Sequence, residues 1–148
     1  MTTALTARAK YEKRILTDVQ FCALLEQLPA TVRLLVETLV STGMRICEIL
    51  GLRWRSVDLE RGAVHVEERL YRGELAAPKT DRSLRALALG ELLGAYRRMQ
   101  SDGARPEDFV YQSNGKPFDD RELLRNILRP AADRLGIGFP GFGWHTFR

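Results

Sequence analysis

Two side chains near the end of the sequence, His145 and Arg148, stand three residues apart in the segment GWHTFR. On a helix, this spacing places two side chains on the same face. A second pair with the same spacing, Arg45 and Glu48, follows STG at the predicted start of a short helix. A glycine turn there can bring the chain close to a ligand, and the carboxylate can hold the guanidinium by a charge-assisted hydrogen bond. An ordinary surface ion pair is the alternative for Arg45 and Glu48 taken alone.

A lysine adds to these two pairs. Lys79 lies in PKTDRSLRALAL, where a polar turn leads into an apolar strand. Each of these residues taken singly is typical of a solvated surface. Two arginines, a lysine and a histidine without a carboxylate-and-metal cluster indicate instead a pocket for an oxyanion, above all a phosphate.

Metal and disulfide chemistry receive little support from the sequence. It has two cysteines and two histidines, with no C-x-x-C spacing, so we predict neither a zinc cluster nor a disulfide. Cys22 and Cys47 lie in apolar helical stretches and are predicted to be buried free thiols.

The charge balance fits a nucleic-acid partner. The net charge is +4, and the basic residues are mostly arginine, whose planar fork binds phosphate oxygens in pairs. A GC-rich genome also favours arginine, so composition leaves both explanations open. No apolar run approaches the roughly 20 residues of a membrane span, and the N-terminus lacks the apolar core of a secretory signal. We therefore expect a cytoplasmic protein with no membrane partner.

Helices are predicted for most of the first third of the chain. Thr17 and Gln20 form a capping box ahead of a helix that ends at Pro29. TVRLLVETLV is apolar on most faces and is predicted to be the central helix, and MRICEILGL begins a third helix after Gly43. Residues 1–14 have no clear period and are predicted to be a tail or linker remnant.

The pattern then alternates with period two. AVHVEERLYR and SLRALAL predict a small antiparallel sheet of two or three strands, with Lys79 near a strand or its turn. GELLGAYRRM predicts a helix and SNGKPF a tight turn. The fold class is therefore α+β and mainly α-helical.

The clearest amphipathic helix is DDRELLRNILRPAADRLG. Pro130 within it predicts a kink or a break. Its apolar side chains share one face, and its arginines lie mainly off that face: Leu123, Leu124, Ile127, Leu128 and Leu135 against Arg121, Arg125, Arg129 and Arg134.

Three segments together resemble the catalytic domain of the tyrosine recombinases, the phage-integrase family. They are LVSTGMRICEILGLRWRSVDLERGAVHV, PKTDRSLRALAL and GWHTFR, and the similarity in order and spacing covers Leu16 to Arg148. The resemblance implies the phage-integrase catalytic-domain fold for residues 15–148. It also implies double-stranded DNA as partner, and strand breakage and rejoining through a 3′-phosphotyrosyl intermediate with no metal or other cofactor.

The resemblance assigns roles to the residues singled out above. Arg45 and Arg148 are expected to clamp the non-bridging oxygens of the scissile phosphate, with Glu48 supporting Arg45. Lys79 is expected to protonate the leaving 5′-oxygen. His145 is expected to share a proton near the attacking hydroxyl or to donate to a phosphate oxygen.

The nucleophile of the family has no match in this chain. In the family, the nucleophilic tyrosine follows the His-x-x-Arg box, whereas the tyrosines here all precede it: Tyr11, Tyr71, Tyr96 and Tyr111. We therefore expect a C-terminally incomplete catalytic domain that binds DNA phosphate but does not cut DNA unaided. A tyrosine supplied by a second chain stays open, and a non-catalytic DNA-binding or regulatory module that reuses the fold is the alternative. Apolar surface that the absent C-terminal helices would cover predicts marginal stability and self-association. The resemblance also implies self-association with other recombinase protomers in the full-length protein.

Overall fold

The computed structural model describes residues 15–78 and 84–147 of the 148-residue chain. Lys79, Arg148 and the predicted tail over residues 1–14 lie outside these ranges. The first helix, α1, spans Asp18–Glu26, and its capping box is confirmed. The Thr17 N–H donates to Gln20 Oε1 at 3.0 Å, and the Gln20 N–H donates to Thr17 Oγ1 at 3.1 Å.

The second helix, α2, spans Ala30–Thr42 and forms the centre of the core, as predicted. It ends at Gly43, whose φ of 72° lies in the left-handed region that suits glycine. A five-residue helix, α3, follows over Ile46–Leu50. The buried side chains of α2 are Val32, Leu34, Leu35, Val36, Thr38 and Leu39.

The prediction that both cysteines are buried is wrong for Cys22. Its side chain is exposed on α1, where it lies about 110° around the helix from the centre of the face that Leu24 and Leu25 bury. Cys47 is half-buried on α3, and burial raises the pKa of its thiol.

A three-stranded antiparallel sheet follows, with strand order β1-β2-β5. β1 spans Val57–Asp58, β2 spans Ala63–Val66 and β5 spans Arg85–Ala88. Val64 pairs with both Val57 and Leu87. Val64 and Val66 are buried while His65 is exposed, so the predicted alternation and the small antiparallel sheet are confirmed.

The predicted single strand AVHVEERLYR is in fact two strands in different sheets. The chain leaves the first sheet at Glu67, and β3 (Arg69–Tyr71) pairs with β4 (Glu74–Ala76) in a separate hairpin. Glu68 lies at the break, with its carboxylate 3.0 Å from Arg53 Nε and 2.7 Å from Arg55 Nη2. These two ion pairs therefore lie at the point where the chain passes from the first sheet to the second.

The second half of the described chain begins with a 3₁₀ turn over Gly90–Leu92, which leads into helix α4, Leu93–Met99. The turn predicted at SNGKPF joins β6 (Gln112–Ser113) to β7 (Lys116–Pro117). Its central Asn114 and Gly115 have φ values of 53° and 83°, as a two-residue hairpin turn with both residues left-handed requires.

The predicted amphipathic helix is helical throughout Asp120–Arg134 but changes its winding. It comprises α5 (Asp120–Leu123), a π-helical stretch over Leu124–Leu128, and α6 (Arg129–Arg134). Of the two outcomes predicted at Pro130, a kink or a break, the break is wrong because the helical winding continues through the proline. The wider π-helical winding directly before Pro130 accommodates the residue that lacks an N–H donor. Leu123 and Leu128 are buried, and the four arginines of this segment are exposed, as predicted. A 3₁₀ turn over Trp144–Phe147 is the last described element.

Across both described ranges, no helix combines the length and the apolar character that crossing a bilayer requires.

Candidate functional site

Arg45 lies between two helices, on backbone that its neighbours fix. Gly43 reverses the chain after α2, and Met44 is fully buried, with its N–H donating to Thr42 Oγ1 at 3.2 Å. Arg45 itself is the extended N-cap residue of α3, with φ −80° and ψ 152°. Its side chain is exposed. The structure therefore presents a solvent-accessible guanidinium from an anchored point of the backbone.

Glu48 supports Arg45 in a different way from the one predicted. Its carboxylate is only 5% exposed, and Oε1 accepts a hydrogen bond from the Arg45 backbone N–H at 2.9 Å. Because Arg45 is a non-helical cap residue, the two side chains do not share a helix face. Within the described part of the chain, no hydrogen bond or ion pair joins the Glu48 carboxylate to the Arg45 guanidinium. The carboxylate holds the backbone of Arg45.

The guanidinium that Glu48 does bind belongs to Arg85, which the sequence analysis missed. Arg85 Nη1 lies 3.0 Å from Glu48 Oε2, and Nη2 lies 3.1 Å from Oε1, so the contact is bidentate. Arg85 is the first residue of β5 and is half-buried, as Leu87 is, while Ala86 and Ala88 are exposed. The missed signal was the arginine on the inward-facing side of SLRALAL, because a charge there needs a partner.

The ion pair sets the charge state of Glu48. Burial alone raises the pKa of this carboxyl, but the hydrogen bonds from Arg85 and from the Arg45 N–H, with the charges of both arginines, lower it below its ordinary value of 4.5. The same contact raises the pKa of Arg85. At neutral pH the site therefore holds a buried carboxylate whose charge Arg85 balances.

His145 lies in the 3₁₀ turn Trp144–Phe147 and is exposed. The turn is fixed on both sides of the histidine: the Trp144 indole N–H donates to the Asp120 carbonyl at 3.1 Å, and Thr146 Oγ1 accepts from the Gly143 N–H at 3.0 Å. Phe147 is buried, with its ring centroid 5.9 Å from that of Phe142. The histidine is therefore presented from an anchored turn, as Arg45 is.

The segments that carry Arg45 and His145 share the same supports. The 3₁₀ turn packs against α2, and α3 packs against both α2 and α5. The Trp144 indole is bonded to the first residue of α5, Asp120. No direct hydrogen bond or ion pair joins His145 to Arg45 among the contacts of residues 15–78 and 84–147. Lys79 and Arg148 lie outside the described residues, so their predicted places in the site stay predictions.

The exposed guanidinium and imidazole suit an anionic ligand, since both can donate hydrogen bonds to oxyanion oxygens. Among the residues that the structure describes, no three His, Cys, Asp or Glu side chains come together as metal ligands.

The tyrosines that the structure describes differ in their exposure. Tyr96 and Tyr111 are fully buried and bonded to each other through their hydroxyl oxygens at 2.7 Å. Tyr71 is 60% exposed, at the end of β3 in the separate hairpin. Tyr11 lies outside the described ranges.

The family is shown by sequence: the model of the phage integrase family matches residues 10–148, and the chain belongs to that family. No curated protein matches the chain significantly.

Solved structures show the same fold. A singly substituted Tn1549 transposon integrase in complex with a circular intermediate DNA is 20% identical, with a TM-score of 0.76 over 93% of this chain and 51% of that one. The XerA recombinase is 22% identical, with a TM-score of 0.68 over 93% of this chain and 48% of that one. The XerH site-specific recombinase bound to a palindromic difH substrate is 18% identical, with a TM-score of 0.56 over 91% and 40%. The chain thus spans about half or less of the length of these structures, and the predicted phage-integrase fold is confirmed.

Proposed function

We propose that this chain is the phosphate-binding part of a tyrosine recombinase catalytic domain, acting in site-specific recombination or integration of double-stranded DNA. The observation that carries the proposal is the anchored, exposed Arg45, in a chain of the phage integrase family. Structures with this fold include an integrase with a circular intermediate DNA and a recombinase bound to its difH substrate. The net charge of +4 suits such a partner.

The proposed reaction is an exchange of phosphate esters. A tyrosine hydroxyl attacks the scissile phosphate, a bond from the tyrosine oxygen to phosphorus forms, and the bond to the 5′-oxygen breaks. Arg45 and Arg148 stabilise the negative charge that grows on the non-bridging oxygens. Lys79 gives a proton to the departing 5′-oxygen, and His145 takes the tyrosine proton or donates to a phosphate oxygen. A 5′-hydroxyl from another strand then reverses these steps on a new partner.

Replacing Arg45 tests the phosphate assignment. We expect Arg45→Ala to weaken binding of duplex DNA about tenfold at low salt, because one charge-assisted contact to phosphate is lost. We also expect the slope of log K against log salt concentration to become shallower by about 1, and by about 2 when Arg148→Ala is added. Fluorescence anisotropy with a labelled duplex, at two or more salt concentrations, measures both quantities.

The matched control is Arg61→Ala, because the Arg61 side chain is 88% exposed in the turn before β2 and lies 3.9 Å from the carboxylate of Asp58. It removes the same charge and should leave the affinity within about twofold of the unmodified chain. Equal losses in the two variants would mean that DNA binding follows net charge, and the phosphate pocket would be rejected.

We further propose that this chain alone binds DNA without cutting it. Tyr96 and Tyr111 are buried, and Tyr71 is on a hairpin remote in sequence from the His145 turn. With a duplex whose scissile 5′-bridging oxygen is sulfur, which traps the covalent product, we expect no protein–DNA adduct resistant to SDS. An adduct that disappears in Tyr71→Phe or Tyr11→Phe would identify a nucleophile and contradict this proposal.

The same assay distinguishes a recombinase from the alternative, a non-catalytic DNA-binding module. A recombinase that takes its tyrosine from a second chain gives an adduct on that chain when the two are mixed, whereas a non-catalytic DNA-binding module gives none.

We also propose that the protein acts in the cytoplasm as part of a mobile element. We propose that it self-associates through apolar side chains that the fold leaves exposed, such as Ile15, Val19 and Val40.

A further inference from the structure

We propose that Arg85 is a positioning residue for Arg45, and that it acts through the buried carboxylate of Glu48. The proposal rests on the function proposed above, because the role of Arg45 as a phosphate ligand comes from there. The proposal makes Arg85, on β5, one of the residues that determine how the proposed phosphate ligand Arg45 is positioned.

The geometry forms a continuous chain of three groups. The Arg85 guanidinium donates a hydrogen bond to each carboxylate oxygen of Glu48, at 3.0 Å and 3.1 Å. One of those oxygens, Oε1, also accepts the Arg45 N–H at 2.9 Å. A bidentate guanidinium fixes the plane of a carboxylate, and the plane of this carboxylate determines where Oε1 meets the Arg45 backbone. A change at Arg85 therefore reaches the backbone from which the Arg45 side chain extends.

The sequence position of Arg85 makes this link useful. Arg85 begins β5 six residues after Lys79, the proposed proton donor, whereas Arg45 begins α3. The ion pair is therefore a bond between the strand that follows the lysine segment and the helix that carries the first arginine. It couples two parts of the proposed pocket that are far apart in the chain.

The competing explanation for the Arg85–Glu48 contact is that it only stabilises the fold and has no effect on Arg45. Buried ion pairs contribute little net stability compared with well-packed apolar residues, so stability alone gives no reason for this one. An apolar pair would also leave the Arg45 N–H without an acceptor. The two explanations differ in what a change at Arg85 does locally, at Arg45, when the rest of the fold is intact.

The first measurement needs no DNA. Hydrogen exchange of the Arg45 amide is followed by NMR in Arg85→Met, in Arg85→Lys and in the control Arg61→Met. We expect exchange at Arg45 about tenfold faster in Arg85→Met than in Arg61→Met, and an intermediate rate in Arg85→Lys, which keeps the charge but not the fork. The amides of Leu35 and Leu39 in the core of α2 serve as the reference for global opening.

The second measurement is a double-mutant cycle in duplex DNA binding. We expect Arg85→Met to weaken binding about fivefold in the unmodified chain and to have no further effect in the Arg45→Ala background. A residue that acts only on overall stability would give the same loss in both backgrounds. Arg85→Lys provides the second test if Arg85→Met does not fold.

The outcomes separate the two proposals. Unchanged exchange at Arg45, or a change equal to that at Leu35 and Leu39, would overturn the role of Arg85. Exchange could be faster at Arg45 alone while Arg85→Met and Arg45→Ala weaken DNA binding additively. That result would overturn the claim that Arg85 affects DNA binding through Arg45. Faster exchange at Arg45, in a chain whose DNA affinity ignores Arg45→Ala, would reject the proposed function while the Arg85–Glu48–Arg45 link stands.

Discussion

Replacing Glu48 with alanine is expected to lower the free energy of unfolding by about 3 kcal/mol at pH 7. The variant leaves the Arg85 guanidinium without the carboxylate that binds it through two nitrogens, and the Arg45 N–H without its acceptor. The loss is at the lower end for a buried pair because the Arg85 side chain is 32% exposed and water can reach it. Urea unfolding followed by circular dichroism measures it.

Glu48→Gln is the comparison variant, because glutamine keeps an acceptor oxygen for the Arg45 N–H while it removes the charge and replaces the second oxygen with an amide donor that cannot accept from Arg85. We expect a loss of about 2 kcal/mol for this variant. An unfolding free energy of Glu48→Ala within about 0.5 kcal/mol of the unmodified chain would show that the ion pair contributes nothing.

The contribution of Glu48 has a defined pH dependence. Its folded pKa is lower than its ordinary value of 4.5, so the unfolded chain binds the proton more readily. The stabilisation is therefore complete above about pH 5.5 and is lost as the pH falls through 4.5 and then through the folded pKa. As the pH falls below 4.5, the unfolding free energies of the unmodified chain and of Glu48→Gln should approach each other. A difference that stays constant down to pH 3 would contradict a stabilising role of the ion pair.

Tyr96→Phe is expected to cost about 2 kcal/mol, because Tyr96 is the middle member of a buried chain of hydroxyl groups. Thr38 Oγ1 donates its one proton to the Leu34 carbonyl at 2.7 Å, so in its 2.7 Å contact with Tyr96 the tyrosine must donate. Tyr111 then donates to Tyr96, also at 2.7 Å. Removing the Tyr96 hydroxyl leaves the Tyr111 hydroxyl proton without an acceptor, in a site with no exposure to water.

Tyr111→Phe is the informative control. It removes the first donor of the chain and leaves Tyr96 still donating to Thr38, so we expect a loss of about 1 kcal/mol, half that of Tyr96→Phe. The reverse order of the two losses, measured by urea unfolding, would show that the protons point the other way. Burial raises the pKa of Tyr96 to about 12, so the unfolded chain ionises first and stability falls as the pH rises above 10.

The parts of the fold that sequence predicted are those decided by neighbouring residues. The capping box of Thr17 and Gln20 needs only three residues of spacing, and the Asn114–Gly115 turn needs only two residues that tolerate a left-handed backbone. The alternation of β2 likewise identified its buried valines. Each of these signals lies within one element.

The parts that sequence did not predict depend on contacts across the fold. Glu48 and Arg85 are 37 residues apart, so no local pattern could pair them, and Glu48 was assigned to the nearest guanidinium instead. At the strand break, Glu68 makes ion pairs with Arg53 and Arg55, which lie more than ten residues earlier in the chain. The continuity of the helix past Pro130 depends on a change of winding that proline statistics do not reveal. The family resemblance singled out Arg45 and His145 as expected site residues but could not show which contacts fix their backbone.

The hydrogen bond from the Trp144 indole to the Asp120 carbonyl has a consequence for which parts of this fold can vary in sequence and length. Because α3 and the His145 turn both meet the first turn of α5, the relative placement of the two segments is set by that turn and by α2. In the segment between α4 and α5, the Val110 N–H donates to the Leu52 carbonyl and Tyr111 is buried beside Tyr96, whereas residues 101–103 are exposed. We expect insertions and deletions at these exposed residues to leave the proposed phosphate-binding residues in place, so related chains are free to differ there.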